Sequence, residues 1–351
     1  MKKLLVDQIL NVNPSFANWI DPCIMSNSIS IHRNLSGHNF VHRSSIDDNR
    51  EVCSKIMGIL QSNSFFDDYM FEYLSEINPY LINVLYEEKL FHFYSSDYVN
   101  NLKILKNSGT VVIINQTKDI LIEINNIDHL TVTAFSNKNN LSELYHTAID
   151  VVNNITTNYA YNDKNKFLTS NVDLHGIGMS YSGLLHLPGI AIHSAFQDVN
   201  SKLQSFNYNI AGFFGYKSDF INDFYTFNSI ASYLYKNADS FLSIFEEATY
   251  IIMELEKYYR ENIEDYVKKD LIYKAYGLSK YGYNTSFFDA CSSLSCLKWG
   301  IDEDIIKNVS KENLAKSFVN CFPAHVQFIS SCDLDEIDKY RASLIRKGMK
   351  K

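Results

Sequence analysis

KFLTSNVDLHGIGMSYSGLLHLPGI, residues Lys166 to Ile190, is the stretch whose reading decides the fold of this chain. An apolar approach ends at Leu168, a Gly-x-Gly turn follows at Gly176 and Gly178, and a second apolar run from Leu184 to Leu187 is closed by Pro188. Glycines so spaced admit backbone conformations closed to other residues and let the main chain come close to a neighbour. The apolar run after them predicts a buried strand.

Around this stretch the composition fits a large domain followed by a smaller one, since 351 residues exceed one small domain. Hydrophobic residues make up 46% of the chain, and 24 Tyr and 23 Phe supply bulky core material. Thirteen Gly and five Pro leave little room for linkers, so packing is expected throughout. A formal charge of −8 argues against nucleic acid as a partner, because that binding runs on clustered Lys and Arg. The opening MKKLLVDQIL meets a charge at Asp7, too early for a signal peptide or a membrane span, so a cytoplasmic protein with no membrane contact is expected. Six scattered cysteines, Cys23, Cys53, Cys291, Cys296, Cys321 and Cys332, read as buried free thiols. His32, His38 and His42 match no standard zinc spacing, and no metal is expected.

Taken in order, Ile29, Ile31 and Leu35 predict a strand within Met25–Phe40. From Asp48 to Leu85 the pattern reads helical, with Val52, Ile56, Ile59 and Leu60 on one face and Phe71, Leu74 and Ile77 on another, and Pro79 marks a boundary. Three strands are predicted over residues 109–114, 120–124 and 129–135, joined as antiparallel hairpins by the polar links NQTKD and NNID. A long amphipathic helix runs from Leu141 to Ile155, and a shorter one is expected near Ile190 to Leu203. Two extended segments follow, over residues 209–216 and within DFYTFNSIASYL. Beyond Ala238 the chain reads as helical to its end, with Asp239 as a possible N-cap.

Several of these segments resemble, in order, those of the phosphagen kinases and the bacterial protein-arginine kinases. Lys166–Pro188 resembles GYLTxCPTNxGTGLRASVxxHLP, Ser26–Leu35 resembles SSRIRLARNL, and residues 125–132 resemble NEEDHLRI. Residues 210–230 resemble VRGxYGEGSEAxGNxFQISNQ. The helical region from Ile263 resembles the C-terminal region of the bacterial kinases through KAYGLSKY, WGIDEDII and DKYRASLIR. The resemblance implies an α+β fold: an antiparallel sheet flanked by helices over residues 1–262, then a helical C-terminal domain over 263–351 that serves dimer or partner contacts.

The resemblance also implies ATP:guanido phosphotransfer, and here the sequence departs from it. The implied catalytic positions hold Ile127, Asn171 and Tyr216, and the implied phosphate-clamp arginines are replaced by Ser28, Ser30, Thr131, Ser180 and Ala211. Arg33, Gly176 and Gly178 are left as vestiges of nucleotide binding. A guanidinium becomes a nucleophile only when carboxylates orient it and take a proton, and a transferring phosphoryl group needs cations placed in advance. The chain carries six arginines, Arg33, Arg43, Arg50, Arg260, Arg341 and Arg346, and none between residues 51 and 259. Lys166 and Lys217 are near enough in sequence to be considered as replacement cations.

Two readings stand. One is a pseudokinase that keeps the fold, a homo- or heterodimer surface and protein contacts; by resemblance its partners are an active kinase, a zinc-finger adaptor or protease components of a stress response. No cofactor is expected in that case. The other is an active protein-arginine kinase using Mg-ATP, in which Lys217, Asp128, Asp219 or Glu123 converge near the Gly176 loop. Asp338 and Arg341 match part of the implied phosphoarginine pocket, with Ile337 in place of its leading arginine; an interhelical salt bridge is the alternative for that pair. Asp128 and His129, adjacent in an extended segment, point to opposite faces and read as structural.

Overall fold

The centre of the fold is β2 (Ile24–Arg33), where a strict period of two sends Ile29 and Ile31 to one side and Ser28, Ser30 and His32 to the other. In this computed structural model, residues 1–4, 19, 21–91, 109–213, 221–330 and 336–350 are described. β2 lies between β6 (Leu130–Ser136) and β9 (Met179–His186), antiparallel to both. Outward from β6 come β5 (Ile120–Ile124), β4 (Val111–Ile114), β3 (Met70–Tyr73) and the short edge strand β1 (Lys2–Lys3). Outward from β9 come β11 (Phe224–Ser229) and then β10 (Tyr208–Gly212). This nine-stranded sheet is antiparallel except at its edge, where β1 runs parallel to β3. A small hairpin of β7 (Tyr161–Asn162) and β8 (Lys166–Phe167) stands apart from it.

Helices α1 (Ile46–Ser62), α3 (Leu141–Asn154) and α6 (Ala238–Glu261) cover one face. Their Val52, Ile56, Leu60, Leu144, Ala148, Phe241 and Phe245 share a core with Ile29, Ile31, Ile122, Val132 and Phe227. Burying a side chain of this size stabilises by about 1.5–3 kcal/mol, so this cluster dominates the energetics of the sheet. Among the described residues, the opposite face is covered in two places. At one end α2 (Pro79–Glu87) packs Ile82 and Leu85 on Val112, Ile114 and Leu121. At the other, the C-terminal helices α7 (Asp265–Tyr281), α8 (Phe287–Asp302), α9 (Lys311–Asn320) and α11 (Ile337–Gly348) form a core that takes in Met25, Leu184 and Phe224 from the sheet and Trp19. Among the described residues, the sheet face between the two covers is left open.

Some elements differ from the sequence reading. Phe71 lies on β3 rather than on a helical face, because Met70–Tyr73 pairs with β4 and four residues are too few to show a helical period. The boundary expected at Pro79 is present: Asn78 is extended and its side chain accepts from the Tyr80 N–H, and the proline opens α2. The segment near Ile190–Leu203 is two helices, α4 (Pro188–Ile192) and α5 (Phe196–Leu203), parted by Ser194 at φ 52. α6 is capped by Asn237 in a capping box with Ser240, which places Asp239 inside the first turn. Cys23, Cys53, Cys291 and Cys321 are buried free thiols and Cys296 is half-buried, while Cys332 lies outside the described residues. Among the described residues no helix is long and apolar enough to cross a membrane.

Candidate functional site

The open part of the sheet is the floor of a cavity of about 350 Å³. Period two and antiparallel register decide its chemistry. Ser28, Ser30 and His32 come from β2, Thr131 and Phe135 from β6, Ser180 and Ser182 from β9, and Thr226 and Asn228 from β11. The register sets Ser30 between Thr133 and Ser180, so one row of hydroxyls crosses β6, β2 and β9, and it sets His32 opposite Thr131. Glu123 of β5, Ile127 of the β5–β6 turn and Asn171 of the Gly-x-Gly segment stand on the walls, with Tyr86 from the last turn of α2 and Lys89 and Phe91 just beyond it.

Six of the positions singled out in the sequence therefore meet in one place: Ser28, Ser30, Ile127, Thr131, Asn171 and Ser180. Ala211 is buried on β10 opposite Thr226 and does not line the cavity. Tyr216, Lys217 and Asp219 lie outside the described residues. Lys166 is exposed on β8 and is not part of the wall.

Arg33 is on the other side. Its odd number in β2 turns it away from Ser28, Ser30 and His32, and it is buried there. Nη1 donates to the carbonyls of His32, Ile177 and Gly178, and the guanidinium lies 3.7 Å above the Phe167 ring. Burial lowers its pKa to about 10. Gly178 has φ +62, and a Cβ there would stand 2.5 Å from Arg33 Nη1. The Gly-x-Gly turn thus makes room for a buried arginine, and Arg33, Gly176 and Gly178 are not on the cavity wall.

Polar contacts organise the floor. His32 Nε2 and Ser180 Oγ are 2.9 Å apart, and His32 Nδ1 stands 3.3 Å from Asp128 Oδ2, an ion-pair contact off the line of a hydrogen bond. Asp128 Oδ1 accepts from Asn34 Nδ2 and from the Ser170 N–H, each at 2.6 Å. Burial alone raises the Asp128 carboxyl, but His32, the Ser170 N–H and Asn34 outweigh it and hold the pKa below its ordinary value. His129 faces away from Asp128, as alternation requires: its Nδ1 accepts from the Leu35 N–H and its Nε2 meets the Asn39 carbonyl. Ser30 Oγ bonds Thr133 Oγ1 at 2.8 Å.

Lys89, to which the sequence reading gave no chemistry, is the lysine on the wall among the described residues. It sits at φ 57 just past α2, its Nζ donates to the Phe213 carbonyl at 2.5 Å, and burial lowers its pKa to about 7. The three histidines do not converge: His32 is on the floor, His38 pairs with Asp48 at 2.7 Å, and His42 is exposed. His38, Asp48 and the exposed Glu51 do bring one ligand atom each within 4.8 Å of one another, away from the cavity.

Farther along, Arg341 is buried in α11, with Nε on the Cys321 carbonyl at 2.7 Å and Nη1 on the Thr285 carbonyl at 3.0 Å and on Asp338. The pair forms a salt bridge within α11 and not the interhelical one expected, while the guanidinium ties α9 and the α7–α8 connection to α11.

Solved guanido kinases share this fold over about seven-tenths of the chain. Lombricine kinase has this fold, with a TM-score of 0.59 at 18% identity over 70% of this chain and 69% of its own. So does the duplicated taurocyamine kinase of Schistosoma mansoni bound to transition-state-analogue components, with a TM-score of 0.60 at 19% identity over 71% of this chain and 38% of its own. Residues 51–259 match the family model of the ATP:guanido phosphotransferase C-terminal catalytic domain, and residues 266–351 match that of the protein-arginine kinase McsB C-terminal domain. This chain belongs to the ATP:guanido phosphotransferase family. Among its relatives are the protein-arginine kinase of Clostridium tetani, 27% identical over 95% of this chain and 98% of that protein, and that of Brevibacillus brevis, 24% identical over 96% of each.

Proposed function

We propose that this protein is a pseudokinase of the protein-arginine kinase type, a cytoplasmic regulatory or scaffolding protein that has lost phosphotransfer. The observation that carries the reading is the cavity floor. Ser28, Ser30, Thr131 and Ser180, all positions where the resemblance has arginine, line one cavity together, and no arginine lines it among the described residues. A hydrogen bond to a charged group contributes about 1.5–3 kcal/mol. Losing four such contacts weakens a triphosphate by roughly 6–12 kcal/mol, which takes a micromolar ligand beyond any measurable affinity. Lys89 does not replace them, since burial leaves it only partly charged near neutral pH. Ile127 meanwhile puts an aliphatic wall where the resemblance has a catalytic glutamate. These residues do not fit Mg-ATP, and no phosphoryl-transfer step is derived from them.

With phosphotransfer lost, the surfaces that remain are those for protein partners: a second copy of this chain or an active kinase, a zinc-finger adaptor, or protease components, as the kinship of the C-terminal helices implies. The rival reading, an active kinase, draws support from Glu123 and Lys89 on the same wall. Calorimetric titration with Mg-ATP, beside an active family member, separates the two. No heat at high micromolar protein is expected, and saturable binding that is lost in Lys89→Met would overturn the pseudokinase reading.

A further inference from the structure

The replacements that removed the clamp also placed a nucleophile beside a base. Ser180 stands where the resemblance has arginine and His32 where it has alanine, and the two are hydrogen-bonded at 2.9 Å on adjacent strands. Asp128 lies behind His32 at 3.3 Å and is itself fixed by Asn34 and the Ser170 N–H. His32 and Asp128 are buried, whereas Ser180 is half-exposed and lines the cavity. A hydroxyl open to a cavity, an imidazole on it and a carboxylate behind the imidazole is the arrangement that activates a serine, recognised by geometry and not by chain order.

We propose that Ser180, His32 and Asp128 act as nucleophile, general base and orienting carboxylate of an acyl-transfer site that takes a small uncharged carboxylic ester. Nδ1 faces both Thr131 Oγ1, at 3.4 Å, and Asp128 Oδ2, at 3.3 Å; with its proton held there against these two oxygens, Nε2 is left to accept from Ser180. Ser180 Oγ attacks the acyl carbon as its proton passes to Nε2. The ester C–O bond breaks, and the alcohol leaves with that proton. Water then attacks the acyl-serine, again deprotonated at Nε2, and the proton returns to Ser180 Oγ as the carboxylic acid is released. The Nδ1 contact closes by a small rotation of the imidazole, the tightening common when substrate enters. Asn171 lines the same cavity; its Oδ1 accepts from the Asp173 N–H, so its amide nitrogen, on the other side, is the donor offered to the oxyanion. A neutral substrate is argued from the wall itself, which among the described residues is mostly hydroxyl, amide and aromatic, with one lysine, Lys89, turned to the Phe213 carbonyl, and no arginine for a phosphate ester. This chemistry does not depend on the loss of ATP binding, and the titration described above does not bear on it.

The test is to treat the full-length protein with a fluorophosphonate probe and follow intact mass, then locate the adduct by peptide mapping. One adduct, on Ser180, is expected, formed at least ~100-fold more slowly in His32→Gln and about 10-fold more slowly in Asp128→Asn. Hydrolysis of p-nitrophenyl butyrate should fall in parallel. Ser180→Cys gives a second reading if the other variants fold poorly. Its thiol should be alkylated by iodoacetamide at pH 7 at least ~10-fold faster than in the Ser180→Cys/His32→Gln double variant. A network that is only structural gives no adduct, an adduct on another serine, or rates indifferent to His32, and any of these overturns the proposal.

Discussion

Arg33 Nη1 and the Gly178 carbonyl oxygen lie 3.3 Å apart, and the space that the guanidinium occupies is the space that a side chain at Gly178 would need. Each residue therefore fixes the other: the arginine holds the turn by three carbonyls, and the glycine admits it at φ +62. Gly178→Ala forces a methyl to within 2.5 Å of Nη1 and 2.9 Å of the His32 carbonyl, in a backbone region that non-glycine residues avoid. A loss of about 3 kcal/mol is expected from strain plus overpacking, read by urea denaturation. In an Arg33→Ala background the same change should cost less, about 1–2 kcal/mol, from the backbone strain and the remaining contact with the His32 carbonyl. Equal costs in both backgrounds would show that the two positions are uncoupled.

Arg341 is expected to behave as a structural cation. Its guanidinium joins the Cys321 and Thr285 carbonyls and Asp338 while buried, so Arg341→Met leaves two buried carbonyls and a carboxylate without their donor. The expected loss is roughly 3–5 kcal/mol, that of breaking a buried charged network. Phosphoarginine at millimolar concentration should leave the Tm of the unaltered protein unchanged. A rise in Tm that disappears in a folded Asp338→Asn variant would return this pair to a binding role.

Ser28, Ser30, Thr131 and Ser180 are grouped in the sequence only by the resemblance, which makes them clamp positions; the strand period is local, but the register that sets them on one floor pairs residues about 100 or more positions apart. The parity that unites Ser28, Ser30 and His32 also separates Arg33 from them, a signal present in β2 but outweighed by the attraction of a surviving arginine. The same parity moves His32 from a set of loop histidines to the cavity. Lys89 carried no such signal, since it reaches the wall from a turn after α2 through a contact with Phe213, 124 residues away. Nor did periodicity reveal that Met25, Leu184 and Phe224 share a core with the C-terminal helices, because each sits in a strand whose local pattern says only that it is buried.

Lys89 should destabilise the fold at low pH. Its folded pKa, lowered to about 7 by burial, lies below the 10.5 of an unhindered lysine, so the unfolded chain binds the proton more tightly. Stability therefore rises with pH through this interval, and the penalty is fully present below about 7. Lys89→Met keeps the length without the charge and should stabilise at pH 6 by on the order of 2 kcal/mol, after allowance for the lost bond to Phe213. The gain should vanish by pH 10. Denaturant midpoints across this range check it, and an advantage independent of pH would mean that the amine is not desolvated.

His325 should act with the opposite sign. It is buried at the start of α10 (Pro323–Ser330), with Nδ1 2.7 Å from Glu87 and Nε2 3.2 Å from Glu88, while Glu87 also accepts from the Ala324 and His325 N–H groups. Lys118 reaches the other oxygen of Glu88 at 3.2 Å, so the cluster joins the end of α2, the β4–β5 turn and the C-terminal helices. Burial disfavours the imidazolium, but the two glutamates outweigh it and raise the pKa to about 9. A folded pKa above the unfolded 6.5 means that the stabilisation is complete below pH 6.5 and is lost as pH rises through about 9. At 1.36 kcal/mol per unit the pair of values corresponds to about 3 kcal/mol. His325→Gln should therefore lower stability by about that amount at pH 6 and by little at pH 10. Between these limits the unaltered protein should lose stability faster than the variant as pH rises. Parallel stability curves for the two proteins from pH 6 to 10 would show that His325 is not charged in the fold, and that α10 is held to α2 by the Glu87 cap alone.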